Sequence, residues 1–200
     1  MSKILSIMEQ IVGVEFGPDD LAVVRALANE RLGIAPSDME RMSVFLHTVA
    51  DVRGVAPSKV FTIFGHRLVA PVLAALPAIA KDQSTAMSVI LHVNRFLPKA
   101  LSALIPNVST PVLDVELRES DTLRLRFSGS SEMASLVEGI GIGLSEHFGE
   151  GITVTHWDPP KGTPDVRQLD MQISTERRGT GNRRNAGRDR RSPRDKSTSA

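Results

Sequence analysis

Cysteine and tyrosine are absent from the 200 residues, and tryptophan occurs once. Without cysteine there is no disulfide framework, no thiolate nucleophile and no thiolate ligand for iron or zinc. That usage is compatible with a reducing compartment, and a cytoplasmic location is expected. Long apolar runs are missing as well. None reaches the roughly 18 residues that a membrane span requires, and the opening MSKILSIMEQ has no signal-peptide hydrophobic stretch. A soluble protein with no membrane role is expected. No catalytic pairing stands out either. The five histidines, His47, His66, His92, His147 and His156, do not form the i, i+4 zinc pair with a neighbouring glutamate. Nothing in the pattern points to an enzyme.

What is present is a large apolar share, 41% of the chain, enough for the core of one domain, in one lobe or two. The net charge of +1 hides an asymmetry. The segment 175–200 carries eight Arg and one Lys against one Glu and two Asp, a net +6, which leaves −5 on the first 174 residues. After Ile173 there is no Val, Leu, Ile, Met or aromatic residue. A segment of that composition cannot bury apolar surface, so 175–200 is expected to be a disordered basic tail. Its two readings are a solubilising extension and an arm for nucleic acid or another acidic partner. The absence of aromatics to stack on bases weighs toward the first.

The first half of the chain has helical spacing. Ile4, Leu5, Met8, Ile11 and Val12 predict a first helix that stops near Gly13. FGPDD opens a second, with Pro18 suited to a first turn and Asp19 and Asp20 to its positive end. APSD at Ala35–Asp38 opens a third, and GVAPSKVF breaks and restarts the chain into a fourth that passes Gly65 to Val69. Pro71 and Pro77 are expected to interrupt the chain beyond Val69. Thr85 to Ile105 is a long helical segment with Pro98 inside it. After Pro111 the period changes to alternation. Val112–Leu117 and Leu123–Phe127, around Ser120–Asp121, read as an antiparallel hairpin. A helix with Met133, Leu136, Val137, Ile140, Leu144 and Phe148 comes next and ends at Gly149. Ile152–Trp157 and Asp165–Ser174 read as two more strands. The glycines of GIGIG, Gly139 to Gly143, fall in mid-helix and read as a close-packing face, because a phosphate loop would lie between a strand and a helix start. The fold class is α+β.

This order of elements resembles the heme–nitric oxide/oxygen binding (H-NOX, or HNOB) domain family from about Ile4 to Ser174. ILSIMEQIVGVEFGPDD is similar to the family's opening helix and Y/F-G-P-E turn. LPKALSALIPNVSTPVLDVE is similar to its L-H-x-x-L-x-x-x-Y-P-x-x-x-x-P-x-F-x-x-E segment. LRLRFSGSSEMASLVEGIGIGLSEHFG is similar to its L-x-L-x-Y-x-S-x-R…L-V-x-G-I…F-F-G segment. The resemblance implies an N-terminal helical lobe, about 1–60, and a heme-pocket lobe, about 61–174, with a four-stranded antiparallel sheet and flanking helices. It implies a signalling role, with heme as cofactor and no catalysis.

The same match shows where this chain departs from the family. Pro98 stands at the position of the proximal histidine that holds the iron, and proline has no donor atom for a metal. Arg126, Ser128 and Ser130 stand at the Tyr-x-Ser-x-Arg motif that clamps the propionates, with only the serine retained. Since the chain has no tyrosine, no shifted match restores that motif, and no distal tyrosine can hold oxygen. Pro111 matches the proline that distorts the heme. His92 is the replacement ligand to consider, although six residues correspond to about 240° around a helix, a different face from residue 98 unless the backbone breaks. Arg126 and Arg95 are the cations that would meet propionates from new positions. The expectation is a stand-alone sensor or regulatory domain, degenerate for heme, acting in trans on a cyclase, kinase or diguanylate-cyclase type partner. The alternative is a nitric oxide or oxygen sensor with His92 on the iron.

Overall fold

The computed structural model describes residues 3–75, 77, 81, 83–104, 113–157 and 165–174. Four helices come first: α1 (Lys3–Phe16), α2 (Pro18–Arg31), α3 (Asp38–Arg53) and α4 (Pro57–Ala75). Their boundaries reflect local chemistry. Gly17 turns the chain at φ 96°, and Pro18 then opens α2 with Asp19 and Asp20 in its first turn. Ser37 and Glu40 form a reciprocal capping box at the start of α3, and Gly54 closes it in the left-handed conformation.

Two expected breaks do not occur. α1 runs through Gly13 to Phe16, and α4 runs through Pro71 to Ala75. A helical proline costs about 3 kcal/mol. Val69 and Leu73 flank Pro71 and are both buried, and fully burying two such side chains returns about 3–6 kcal/mol. Packing therefore outweighs the local penalty.

The long segment with Pro98 is two helices, α5 (Ala86–Leu91) and α6 (Val93–Leu104). The break falls at His92, not at Pro98. Pro98 lies inside α6, where its fixed φ suits a helix but the bond to the carbonyl of residue 94 is lost and the ring crowds that carbonyl.

The second half is a four-stranded antiparallel sheet in the order β1-β2-β4-β3, with β1 Asp114–Glu119, β2 Thr122–Ser128, β3 Gly151–Trp157 and β4 Val166–Ser174. Between β2 and β3 runs α7 (Ser131–Phe148), capped by the Ser130 hydroxyl and closed at Gly149, φ 73°. The architecture is α+β, and no described helix is long and apolar enough to cross a membrane.

Two hydrophobic cores result. One lies among α1 to α4 around Ile4, Met8, Leu46, Val49, Val60 and Phe64. The other lies between the sheet, α5 and the ends of α4 and α7 around Val89, Leu123, Leu125, Leu169 and Met171. α4 and α7 contribute to both. They touch backbone to backbone, as the mid-helix glycines led one to expect. A Cβ at Gly139 would overlap the Thr62 carbonyl, and one at Gly143 would lie 2.6 Å from the His66 carbonyl oxygen.

Candidate functional site

α5 and α6 carry the two residues at which iron ligation is at issue. His92 is half-buried at the C-terminal cap of α5. Its Nδ1 lies 2.9 Å from the carbonyl oxygen of Ser88, the oxygen that also accepts from the His92 backbone N–H at 3.2 Å. A ring that donates from Nδ1 presents Nε2 as its lone-pair nitrogen, the arrangement of many metal-bound imidazoles. His47 makes the same bond to Ser43 within α3, so the bond alone does not mark a ligand. Pro98 is exposed on α6. Nearby, the Asn94 amide clasps Leu113 with a bond from Nδ2 to the Leu113 carbonyl at 2.6 Å. That bond ties α6 to the entry of β1. Pro111 lies outside the described residues.

Of the candidate propionate residues, Arg126 and Ser128 share the outer face of the sheet, and Ser130 lies beyond the strand as the cap of α7. Along β2 the inward row is Leu123, Leu125 and Phe127, all buried. Arg124, Arg126 and Ser128 therefore point to the outer face of the sheet. Arg126 is engaged there. Its Nε donates to Gln168 Oε1 at 3.2 Å, and Nη1 lies 3.6 Å from Asp114 and 3.7 Å from Glu116. The Ser130 hydroxyl accepts the Met133 N–H at 3.3 Å as the cap of α7, and its bond to Glu132 is the main cause of that carboxyl's lowered pKa. Arg95 is exposed.

As an observed donor set this fits heme poorly. Position 98 offers no ligand atom, the guanidinium at 126 is paired on the outer sheet face, and the hydroxyl at 130 is committed to a helix cap. Among the described residues no cluster of three or more His, Asp or Glu could hold a metal ion.

The outer sheet face carries an ordered polar group that the sequence pattern did not reveal. Arg124 grips Asp170 with two bonds of 2.8 and 2.7 Å. The Trp157 indole N–H donates to the same carboxylate at 3.0 Å, and the guanidinium lies 5.9 Å from the Trp157 ring centroid. The Arg124 bond is the main reason that the Asp170 carboxyl sits below its ordinary range. The signal available in the sequence was Trp157, the only tryptophan, but its partners come from two other strands.

Beside Trp157, the first turns of α4 and α7 and the ends of β3 and β4 line an open groove of about 640 Å³. Lys59, Ser135, Glu138, His156 and Arg167 face it. Glu138 and His156 are bonded to each other at 3.0 Å. Two serine hydroxyls of the groove are engaged elsewhere: Ser135 Oγ donates to the Ser131 carbonyl at 3.1 Å and Ser131 Oγ to Glu132 at 3.2 Å, so among the described residues neither is bonded to His156 as an activated nucleophile would be.

The sequence matches the family described as Haem-NO-binding over residues 7–156. No curated protein matches it. Among solved structures, the H-NOX protein from S. oneidensis in the Fe(II)NO ligation state is similar with TM-score 0.71 at 17% identity, covering 87% of this chain and 99% of that one. The Fe(II) unliganded H-NOX protein from K. algicida gives 0.71 at 13% identity, covering 88% and 98%. The H-NOX from Shewanella woodyi in the Fe(II)CO ligation state, bound to IWP-051, gives 0.66 at 18% identity, covering 90% and 96%.

Proposed function

The chain belongs to the Haem-NO-binding family, and from that premise we propose that it is a regulatory member that has given up the family's way of holding heme and acts on a separate signalling protein. One observation carries the reading. Pro98, which the resemblance sets at the position of the iron ligand, is exposed and has no donor atom for a metal. The state of Arg126 and Ser130 supports it, since both are used in the architecture itself.

A domain without an iron centre can still regulate. It needs only two conformations that a ligand or partner distinguishes. The cytoplasm, where cyclases, kinases and diguanylate cyclases are found, is the setting proposed for it. The basic segment 175–200 is the part proposed to touch an acidic partner or nucleic acid. Deleting it should abolish any salt-sensitive binding of that kind.

A second reading keeps heme and assigns the iron to His92. The observation in its favour is the helix break at His92 together with the Nδ1 bond to the Ser88 carbonyl, which leaves Nε2 for a metal.

Hemin titration of the folded protein, followed by its visible spectrum with and without nitric oxide, separates the two. The first reading expects no saturable, sharp Soret band. A sharp band that His92→Ala removes and His66→Ala leaves intact would overturn it and establish the second.

A further inference from the structure

The two edges of the sheet are built differently. Among the described residues, the order β1-β2-β4-β3 leaves one side of β1 and one side of β3 without a strand. At the β1 edge Asp114, Glu116, Arg118 and Glu119 are charged, and the register slips between Leu117 and Glu119. Charge and an irregular ladder are the devices by which a free edge avoids pairing with a second chain. β3 has neither. Its sequence, GITVTHW, contains no Asp, Glu, Lys, Arg or Pro, and its register against β4 runs unbroken from Gly151 to Trp157. Thr153, Thr155, His156 and Trp157 are exposed. Among the described residues no backbone hydrogen bond reaches the outer side of β3.

We propose that the β3 edge pairs with the β3 edge of a second copy of this chain, joining two four-stranded sheets into one antiparallel sheet of eight strands. The strand's own chemistry selects that occupant. Antiparallel pairing centred on Val154 sets Thr153 opposite Thr155 of the partner subunit, a favourable cross-strand pair. No like charges meet, whereas an acidic or basic foreign segment would find no opposite charge along β3. The chain's own segment 175–200 offers no β-branched aliphatic or aromatic residue with which to build a strand. A contact of one strand with itself closes on a two-fold axis, so it stops at a dimer instead of growing into a fibre.

Sedimentation of the full chain across a concentration series up to several hundred micromolar tests this. A reversible monomer–dimer equilibrium is expected. Thr153→Lys and Thr155→Lys, both at exposed positions, should each weaken the dimer about tenfold, while Leu117→Lys on the β1 edge should leave it unchanged. Because the chain has no cysteine, the double variant Thr153→Cys, Thr155→Cys should form a covalent dimer on mild oxidation. A monomer at the highest concentration, a dimer that both lysine variants leave intact, or no cross-link in the folded cysteine variant would overturn the proposal.

Discussion

Gly139 of α7 and Thr62 of α4 meet backbone to backbone, with the Thr62 carbonyl oxygen in the space that a Cβ on residue 139 would need. The same relation recurs between Gly143 and the His66 carbonyl and between Gly65 and the Leu136 carbonyl. Each helix thus places a glycine against the other's main chain, and a bond between His66 and Glu146 fastens the crossing farther along. Since both helices feed both cores, the crossing is where the two cores are joined.

Substitution at that crossing should be costly. Replacing glycine by alanine in a helix gains about 1 kcal/mol of propensity, but here the methyl meets a carbonyl that can move only with its helix. Overpacking of that kind costs about 1–3 kcal/mol or more. Gly139→Ala is expected to lower the unfolding free energy by about 2 kcal/mol net in urea denaturation. Gly141→Ala meets the flexible Met171 thioether at 3.0 Å instead and should stay within about 1 kcal/mol of wild type. Equal losses at the two positions would show that backbone contact does not limit the crossing.

Ser130 gives a test of cap against cofactor clamp. Its hydroxyl accepts the Met133 N–H, so Ser130→Ala should cost about 1 kcal/mol. The loss should be the same with and without added hemin, and Ser130→Asp should restore most of it. A loss that appears only in the presence of hemin would assign the hydroxyl to a propionate.

The Arg124–Asp170–Trp157 group makes the outer sheet face acid-sensitive. The Asp170 carboxyl has its pKa lowered on folding, first by its hydrogen bond to Arg124. A lowered folded pKa stabilises the native state at pH above the unfolded value, about 3.9. That contribution is lost as pH falls through the folded value. Asp170→Asn should therefore flatten the stability–pH curve on its acid side below about pH 4. Trp157 is the sole tryptophan, so its emission reports the loss of its bond to Asp170 over the same interval. An acid limb as steep in Asp170→Asn as in wild type would remove the group from this role.

Pro98→His offers an imidazole at the position that the resemblance assigns to the family's iron ligand. It also returns an N–H to the helix interior, which in an ordinary helix is worth up to about 3 kcal/mol. The variant is expected to fold at least as stably as wild type by thermal melting and to acquire a sharper Soret band with hemin than the parent. A folded Pro98→His protein with the parent's spectrum would detach position 98 from iron binding.

Much of this molecule is decided by residues close together in the chain. The change from helical spacing to alternation after Pro111, the capping box at Ser37 and Glu40, the turn at Ser120–Asp121 and the glycine closures at Gly54 and Gly149 act within one or two turns of backbone. They fix the α+β class and the element order, and with the segments around LPKALSALIP and LRLRFSGSS they mark the family. Pro98 and the absence of tyrosine, on which the proposal about heme rests, are likewise legible residue by residue.

Other features depend on contacts between distant segments. Pro71 stays helical because Val69 and Leu73 are buried against residues far along the chain. The helix breaks at His92 and tolerates Pro98, a choice that local propensity made the other way. Arg126 finds Asp114, Glu116 and Gln168 only once β1 and β4 flank β2. Trp157 meets Arg124 and Asp170 only because β4 inserts between β2 and β3. That insertion also leaves uncharged β3 at the edge, since strand order depends on how the sheet packs against α7 and not on the sequence of any one strand.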